Sequence, residues 1–394
     1  MLSEKQAEDL VVKYMAKEGS ITPTQEILDS GAVPRLADYI IKPGKVSDSI
    51  FGSNGSYYDK EVEAVIEFEN PLLNTKKGIP PRLMVRNPKI STHDIVRGDI
   101  PFKDQILAEN HNFMLNLVKE AIGTSQYDVP GLAANSVVIA AENLQQIPFE
   151  NVLRLYLAKS STETSLYHAY IVQGKREFAG HSLPKGLVPN GDLPYVMDTP
   201  STKSDEHDMT VKPDYLFKNN ICTPQEYTQI INSSLFAFGM VSYFLKEKGI
   251  ILVDTKTEHG KNSKGEIVSQ DELYTLDSSR FWLADDYNKQ SEVFYSKKDS
   301  DLITYLLQTQ DNLKEEDYIV DNNVIICPKS YSKEFARGFS KGDAGYTDEQ
   351  RVKIAVRYIM GIQHLLGKEF EPDMRPRDER VITGLQTIVD NLVM

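Results

Sequence analysis

Residues 250–258 read IILVDTKTE, and this stretch decides both the fold and the chemistry that can be expected of the chain. Its first four residues are apolar and favour β structure, which predicts a strand that starts buried. Because side chains alternate between the faces of a strand, Asp254, Lys256 and Glu258 share one face. Burying acids beside a lysine on such a strand costs free energy unless these side chains bind a ligand. The spacing alone also allows an exposed, salt-bridged face.

The chain turns back after this strand. Residues 261–265 form a predicted turn, and the returning strand, over 266–273, carries Asp271. A hairpin would bring Asp271 close to Glu258. Two carboxylates at that distance suit Mg²⁺, which takes oxygen ligands and usually keeps phosphate and water in its shell. The hairpin therefore predicts a magnesium site on these two acids.

Two further segments could bind anions. Residues 276–282, LDSSRFW, are predicted as a loop in which Arg280 stands beside two hydroxyls, and a guanidinium binds phosphate or carboxylate bidentately. The alternative for Arg280 is an ordinary surface arginine, and Trp282 is interpreted as a core anchor. Residues 198–208, DTPSTKSDEHD, are dense in hydroxyls and could wrap an anion. A helix cap or a plain surface turn is the alternative there.

Further elements follow from capping signals and hydrophobic periodicity. Helices are predicted over 3–18, 24–29, 103–122, from Thr223 to Lys248, from Thr347 to about 367, and over 378–392. Strands are predicted over 61–68, 136–141 and 152–158. Residues 283–330 are polar and acid-rich, which indicates a surface insertion without a catalytic part.

Composition excludes several classes of function. A chain of 394 residues suggests two or three domains. The net charge of -13 argues against nucleic acid or an anionic membrane as a partner, so an anionic substrate needs a local basic cluster. Two cysteines, Cys222 and Cys327, make neither a disulfide scaffold nor a zinc motif. With no apolar signal core and no stretch long enough to cross a bilayer, a cytoplasmic protein is expected.

No known phosphate-binding loop motif is present. The sequence contains neither G-x-x-x-x-G-K-[ST] nor G-x-G-x-x-G. If the protein binds ATP, it needs a site built from a sheet and lysines, as protein kinases have.

Three long motifs resemble one enzyme family. Residues 254–260 (DTKTEHG), 271–282 (DELYTLDSSRFW) and 199–203 (TPSTK) are similar to phosphoribosylaminoimidazole-succinocarboxamide synthases, the SAICAR synthetase family. Weaker similarities lie at 44–48 (GKVSD) and 89–94 (KISTHD), and along 147–160. The resemblance extends from about residue 44 to about residue 367.

The resemblance implies an α+β fold with ATP between two lobes. A kinase-like antiparallel β lobe would form the N-terminal part, followed by an ATP-grasp-like α+β body with C-terminal helices. The implied divisions are an N-terminal helical extension, a nucleotide-binding lobe, a catalytic body, an insertion and a C-terminal helical part of the body, over 1–40, 41–145, 146–282, 283–330 and 331–394.

The resemblance also implies roles for individual residues. Lys45 would contact the ATP phosphates, and the connection from Ala141 to Gln146 would meet adenine through its backbone. The reacting centre would hold Asp254 and Lys256, and the magnesium ligands would be Glu258 and Asp271. The ribotide phosphate and carboxylate would be recognised, in an order left open, by Arg154, Ser160, Arg280 and Arg337. A loop near the site, in an open role, would carry Thr199, Ser201, Thr202 and Lys203.

The implied reaction is an ATP-dependent ligation. L-Aspartate would be joined to carboxyaminoimidazole ribotide (CAIR) through an acyl phosphate, giving SAICAR, ADP and phosphate in purine biosynthesis. The partners would be these small molecules and Mg²⁺, and a homo-oligomer stays open. Two alternatives also stay open: an ATP-dependent amide-forming enzyme with another carboxylate substrate, and a non-catalytic nucleotide-binding module.

Overall fold

The computed structural model of the protein describes most of the chain. The described residues are 1–17, 21–44, 46–59, 64–92, 95–160, 162, 164–203, 209–288 and 333–394. Lys45, Cys327, the end of the 198–208 segment and most of the predicted insertion lie outside these residues.

The first sheet is antiparallel and is built from the N-terminal part of the chain. Its four described strands follow the order β1 (Ile41–Lys42), β2 (Ser47–Phe51), β5 (Pro81–Arg86) and β8 (Val138–Glu142). Two separate hairpins accompany it, β3 (Gly55–Asp59) with β4 (Ala64–Phe68) and β6 (Lys89–Thr92) with β7 (Ile95–Asp99). Along β5, Leu83 and Val85 enter an apolar core. Alternation therefore directs Arg82, Met84 and Arg86 to the opposite face.

The second sheet carries the motifs of the sequence. Its six described strands are β12 (Asp192–Asp198), β9 (Gln145–Tyr156), β14 (Ile250–Lys261) and β15 (Ile267–Gln270), with β13 (Ser201–Thr202) on β9 and β16 (Ser279–Leu283) on β14. All pairings are antiparallel. A short hairpin, β10 (Glu177–Phe178) with β11 (His181–Ser182), precedes β12. Strand β14 is central and runs between β9 and the pair β15 and β16.

Helices flank both sheets. Within the described ranges they include α1 (Glu4–Met15), α2 (Thr24–Asp29), α3 (Lys103–Ile122), α4 (Pro213–Lys218), α5 (Pro224–Lys246), α6 (Lys333–Arg337), α7 (Asp348–Leu366) and α8 (Arg377–Leu392), with a 3-10 turn at Pro34–Leu36 and a π turn at His168–Val172. Helix α5 packs on β14 and α3, and α8 packs on β8. No helix among the described residues is both long and apolar enough to cross a membrane.

The predicted helix starts are confirmed in detail. Ser3, Thr223 and Thr347 each accept a backbone hydrogen bond from the residue three positions later, and that residue's side chain bonds back to the cap. These reciprocal contacts satisfy amide groups that a helix start otherwise leaves unpaired. The local sequence therefore fixes where these helices begin.

Two local predictions are wrong. Strand β9 begins at Gln145 rather than at Val152. Its early part contains Pro148, which cannot donate to a ladder, and the register with β14 shifts opposite this proline. Arg280 lies in strand β16 and not in a loop, because residues 279–283 pair with the apolar start of β14. Trp282 is buried, as predicted.

Candidate active site

Asp254 lies between two arginines on one face of the second sheet. Arg154 on β9 and Arg280 on β16 are its partners on the neighbouring strands. Arg154 Nη1 is 3.4 Å and Arg280 Nε is 3.1 Å from Asp254 Oδ2. Burial lowers the pKa of Arg154, and the Asp254 charge opposes this effect. Two guanidinium groups around one carboxylate leave an excess positive charge, which suits an anionic ligand.

Thr199, from the loop whose role was left open, contacts this arginine pair, and the predicted ribotide-binding residue Ser160 lies next to one of its contacts. Thr199 Oγ1 accepts a hydrogen bond of 2.9 Å from Arg154 Nε. Arg280 Nη1 donates to the backbone carbonyl of Lys159 at 3.4 Å, directly before Ser160. The structure therefore brings Arg154, Thr199 and Arg280 together. Ser160 directly follows Lys159, whose carbonyl Arg280 contacts.

Lys256 and Glu258 share a charge network, as their spacing predicts. Lys256 Nζ lies 2.5 Å from Glu150 Oε1 and 4.0 Å from Glu258 Oε1. The second carboxylate oxygen of Glu258 accepts from Lys203 Nζ. Burial lowers the pKa of Lys256, but attraction to Glu150 and then to Glu258 outweighs it, so the pKa is raised. Lys256 is therefore a cation in a site with two carboxylates close by.

The loop residues beside Lys203 are held by strand pairing. Ser201 pairs with Glu150 and Thr202 with Phe149, so β13 lies along β9. Thr202 Oγ1 also accepts from the backbone N–H of Met209, at 3.1 Å. Ser201 and Thr202 are buried, and Lys203 is the member of this group that pairs with Glu258.

Glu258 and Asp271 form a carboxylate pair at the hairpin of β14 and β15. Glu258 pairs with Gln270, so Asp271 follows its direct partner. Burial raises the pKa of Glu258, and the negative charge of Asp271 raises it further. The backbone of Asp271 is left-handed, with a φ of 59°, a conformation that aspartate tolerates better than most residues. Two carboxylates that repel each other fit a divalent cation.

Any cation there needs ligands beyond these two acids. No group of three or more His, Cys, Asp or Glu side chains in the described part of the chain is arranged to hold a metal. Mg²⁺ is commonly bound through one or two carboxylates together with substrate phosphate and water. The donor set of Glu258 and Asp271 therefore fits Mg²⁺ that arrives with a nucleotide.

Arg82 of the first sheet lies near the same carboxylates. Sequence reasoning missed this arginine. Its Nε and Nη2 atoms donate to Ser49 Oγ at 3.1 and 2.9 Å. Burial lowers the pKa of Arg82, while the charges of Asp271 and Glu258 oppose this shift. Arg82 therefore supplies positive charge near the carboxylates from a strand of the first sheet. The alternation of apolar and charged residues in β5 was the signal that could have found it.

Glu150 is a second residue for which no role was predicted. It belongs to the 147–160 similarity, but its partner becomes visible only when β9 and β14 are paired.

The predicted adenine connection joins the two sheets. Ala141 on β8 is buried with Met84 and Ile139 in a small apolar cluster. Gln146 on β9 is exposed and pairs with Gly260. The cluster lies on the face of β5 that also carries Arg82, since Met84 pairs with Ile139 and Arg82 with Ala141.

Two predicted residues are not joined to this network by the contacts described. Lys45 lies outside the described residues. Arg337 ends α6, which packs against β6 and α7. The roles of both stay predictions.

Comparison with known proteins identifies relatives of this chain. A SAICAR synthetase family model matches residues 78–316. The chloroplastic phosphoribosylaminoimidazole-succinocarboxamide synthase of Vigna aconitifolia is 34% identical over 205 residues, which cover 52% of this chain and 58% of the relative. The chain thus spans little more than half the length of this curated relative.

Solved structures share the fold. A SAICAR synthase from Saccharomyces cerevisiae in complex with SAICAR has a TM-score of 0.55 at 20% identity, covering 85% of this chain and 97% of that one. A type-2 SAICAR synthetase in complex with ADP has a TM-score of 0.53 at 19% identity, with coverage of 84% and 100%. These similarities show that the chain shares the mixed α+β fold with antiparallel sheets. Because the family model matches more than half of the sequence, the chain belongs to the SAICAR synthetase family.

Proposed function

We propose that the protein is an ATP-dependent ligase that joins L-aspartate to CAIR and releases SAICAR, ADP and phosphate. One observation carries the proposal: Asp254, which pairs with Arg154 and Arg280 of the neighbouring strands, and Glu258 lie on the same strand, β14, and Asp271 follows the strand that pairs with it. The first group suits an anionic ribotide and the second suits a metal-bound nucleotide. Their proximity is what transfer of a phosphoryl group between the two ligands requires.

The names of the relatives support this assignment. The Vigna protein is named as the synthase of this reaction. The related structures contain SAICAR in one case and ADP in the other. For this chain we infer the same two ligand classes.

We infer that ATP lies between the two sheets. The apolar cluster of Met84, Ile139 and Ala141 would take the adenine ring, and Arg82 would face the phosphates. In this assignment residues 41–145 form a kinase-like nucleotide lobe and 146–282 an ATP-grasp-like body. Residues 1–40 are a helical extension, 283–330 an insertion, and 331–394 the C-terminal helical part of the body. A bound Mg²⁺ would neutralise phosphate charge and orient the nucleotide.

The first chemical step activates the ribotide carboxylate. An oxygen of that carboxylate attacks the γ-phosphorus of ATP, and the bond from this phosphorus to the bridging oxygen breaks. ADP leaves with the bonding electrons, and an acyl phosphate remains. Arg154 and Arg280 would hold the ribotide, while Lys256 and Lys203 would offset the negative charge that the two anions bring together.

The second step forms the amide. The amine of aspartate attacks the acyl carbon, the bond to the phosphate oxygen breaks, and inorganic phosphate leaves with the electron pair. The amine loses a proton in the process. Preorganised cations stabilise the oxyanion that develops at the acyl carbon without further reorganisation.

Coupled ADP release tests the proposal. The purified protein is given ATP and Mg²⁺ with CAIR, with aspartate, with both, or with other carboxylates and amines. ADP release that requires both CAIR and aspartate supports the ligase. Release that depends on a different carboxylate would indicate another substrate, and ATP binding without release under any condition would indicate a non-catalytic module.

A further inference from the structure

A second polar cluster lies one residue before the loop that enters the site. Asp198 ends strand β12, and its Oδ2 atom accepts a hydrogen bond from the hydroxyl of Tyr227. Asp198 Oδ1 lies 3.2 Å from His181 Nε2, which is also 2.7 Å from the backbone carbonyl of Asp198. The other ring nitrogen, Nδ1, lies 3.1 Å from the hydroxyl of Tyr195. Asp198 is therefore held through its side chain and its backbone.

The partners of Asp198 come from separate elements. His181 belongs to β11 and Tyr227 to α5, so the carboxylate ties a hairpin and a long helix to the end of β12. Burial raises the pKa of Asp198, but hydrogen bonds from His181 and Tyr227 outweigh burial, and the pKa is lowered. The same contact with Asp198 raises the pKa of His181. Asp198 is thus stabilised as a carboxylate with defined partners.

The residues that follow Asp198 contact both the arginine pair and the carboxylate pair of the site. Thr199 donates to the carbonyl of Val152 through its backbone N–H at 2.8 Å and through its hydroxyl at 3.1 Å, and it accepts from Arg154 Nε. Lys203, four residues further on, pairs with Glu258. A shift of the end of β12 would therefore move Thr199 first, and with it the support of Arg154.

Packing alone does not require an acid at this position. The Asp198 side chain is 21% exposed, and an apolar residue could fill the same space without needing hydrogen-bond partners. The contacts of Asp198 instead hold the end of β12 in one position, because its two partners, His181 and Tyr227, lie on different elements.

We propose that Asp198, held by His181 and Tyr227, is a positioning residue that sets Thr199 against Arg154 and so determines the affinity for the ribotide. The inference rests on the proposed function, because it assigns Arg154 to ribotide binding. It adds three residues outside the arginine and carboxylate groups to those that govern the site.

The kinetic test uses Asp198→Asn and Tyr227→Phe, with Asp214→Asn as the matched control. Asp214 is an exposed acid in α4. We expect the KM for CAIR to rise about tenfold in the first two variants, which corresponds to about 1.4 kcal/mol of binding. The KM for ATP and the kcat should stay within about twofold of wild type. Unchanged KM values for all substrates, or an equal rise in all of them, would overturn the inference.

A second measurement decides the inference without turnover. Hydrogen exchange of the Thr199 and Thr202 amides, both hydrogen-bonded in the structure, is compared between wild type and Asp198→Asn. Faster exchange at these amides with unchanged exchange in the middle of α5 supports local positioning. Unchanged exchange at 199–203 overturns it. Absence of ligation by the wild type would refute the proposed function, while the exchange result would still stand for Asp198.

Discussion

Arg86 Nη1 lies 2.7 Å from Glu272 Oε1, and this buried ion pair joins the first sheet to the segment directly after Asp271. Their side chains are only 3% and 10% exposed. Thr275 Oγ1 donates to the second oxygen of Glu272, at 2.7 Å. The position of the carboxylate pair in the second sheet therefore depends on an arginine of the first sheet.

Replacing Glu272 by Gln should destabilise the protein strongly. The change leaves the buried guanidinium of Arg86 without its counter-charge, and breaking a buried pair in this way costs about 3–5 kcal/mol. Urea unfolding of wild type and variant measures the difference. Glu266→Gln, an exposed acid in the same hairpin, should change the unfolding free energy by less than about 0.5 kcal/mol. A cost below about 1 kcal/mol for Glu272→Gln would mean that the pair does not hold the two sheets together.

Much of the central strand and its chemistry could be predicted from sequence. An apolar start followed by alternating charges fixes which side chains share a face, and the turn after residue 260 fixes the return strand. Lys256 and Glu258 are indeed 4.0 Å apart, and the partner of Glu258 is one residue from Asp271. These relationships are local, so they follow from strand geometry alone.

The partners that come from elsewhere in the chain could not be predicted in the same way. Alternation in β5 predicts the face on which Arg82 lies, but the nearness of this face to Glu258 and Asp271 depends on how the two sheets pack, which no local pattern gives. Glu150 meets Lys256 through a register that shifts around Pro148, and a one-residue shift changes which side chains share a face. The start of β9 was misplaced for the same reason.

Glu258→Gln should abolish most ligation while the fold is kept. The amide retains a similar shape and can still contact Lys203, but it loses the charge that binds a divalent cation. We expect kcat to fall on the order of 100-fold or more at saturating Mg²⁺. Glu266→Gln again serves as control, and circular dichroism checks the fold. A kcat close to that of wild type would count against a metal role for Glu258.

Arg82→Gln should weaken nucleotide binding more than ribotide binding. The arginine faces Glu258 and Asp271 from the first sheet, so its loss removes positive charge where the phosphates are proposed to lie. We expect the KM for ATP to rise about tenfold and the KM for CAIR to change by less than about twofold. Lys89→Gln, an exposed lysine on β6, is the control for a general loss of charge. Equal effects on both substrates would place Arg82 outside the nucleotide site.

The acid stability of the segment that carries the carboxylates should depend on His111. Its Nδ1 atom accepts from the backbone N–H of Leu273 at 3.1 Å, so Nε2 carries the proton and donates to Gln126 Oε1 at 3.0 Å. Both contacts fit the neutral ring. Burial, and then the charge of Arg86, lower the pKa of His111 from 6.5 to about 3.

The sign of the resulting pH dependence follows from proton linkage. Between pH 6.5 and about 3 the unfolded chain binds a proton on His111 and the folded chain does not, so stability falls as the pH falls through this window. His111→Asn should lower stability at neutral pH but make the fall of stability with falling pH shallower by up to about 1.4 kcal/mol per pH unit.

His181→Gln is the contrasting variant. The pKa of His181 is raised, so its contribution to stability is complete below pH 6.5 and is lost as the pH rises through the folded pKa. Urea unfolding across the pH range separates the two, and an unaltered acid slope in His111→Asn would show that folding does not lower the pKa of this ring.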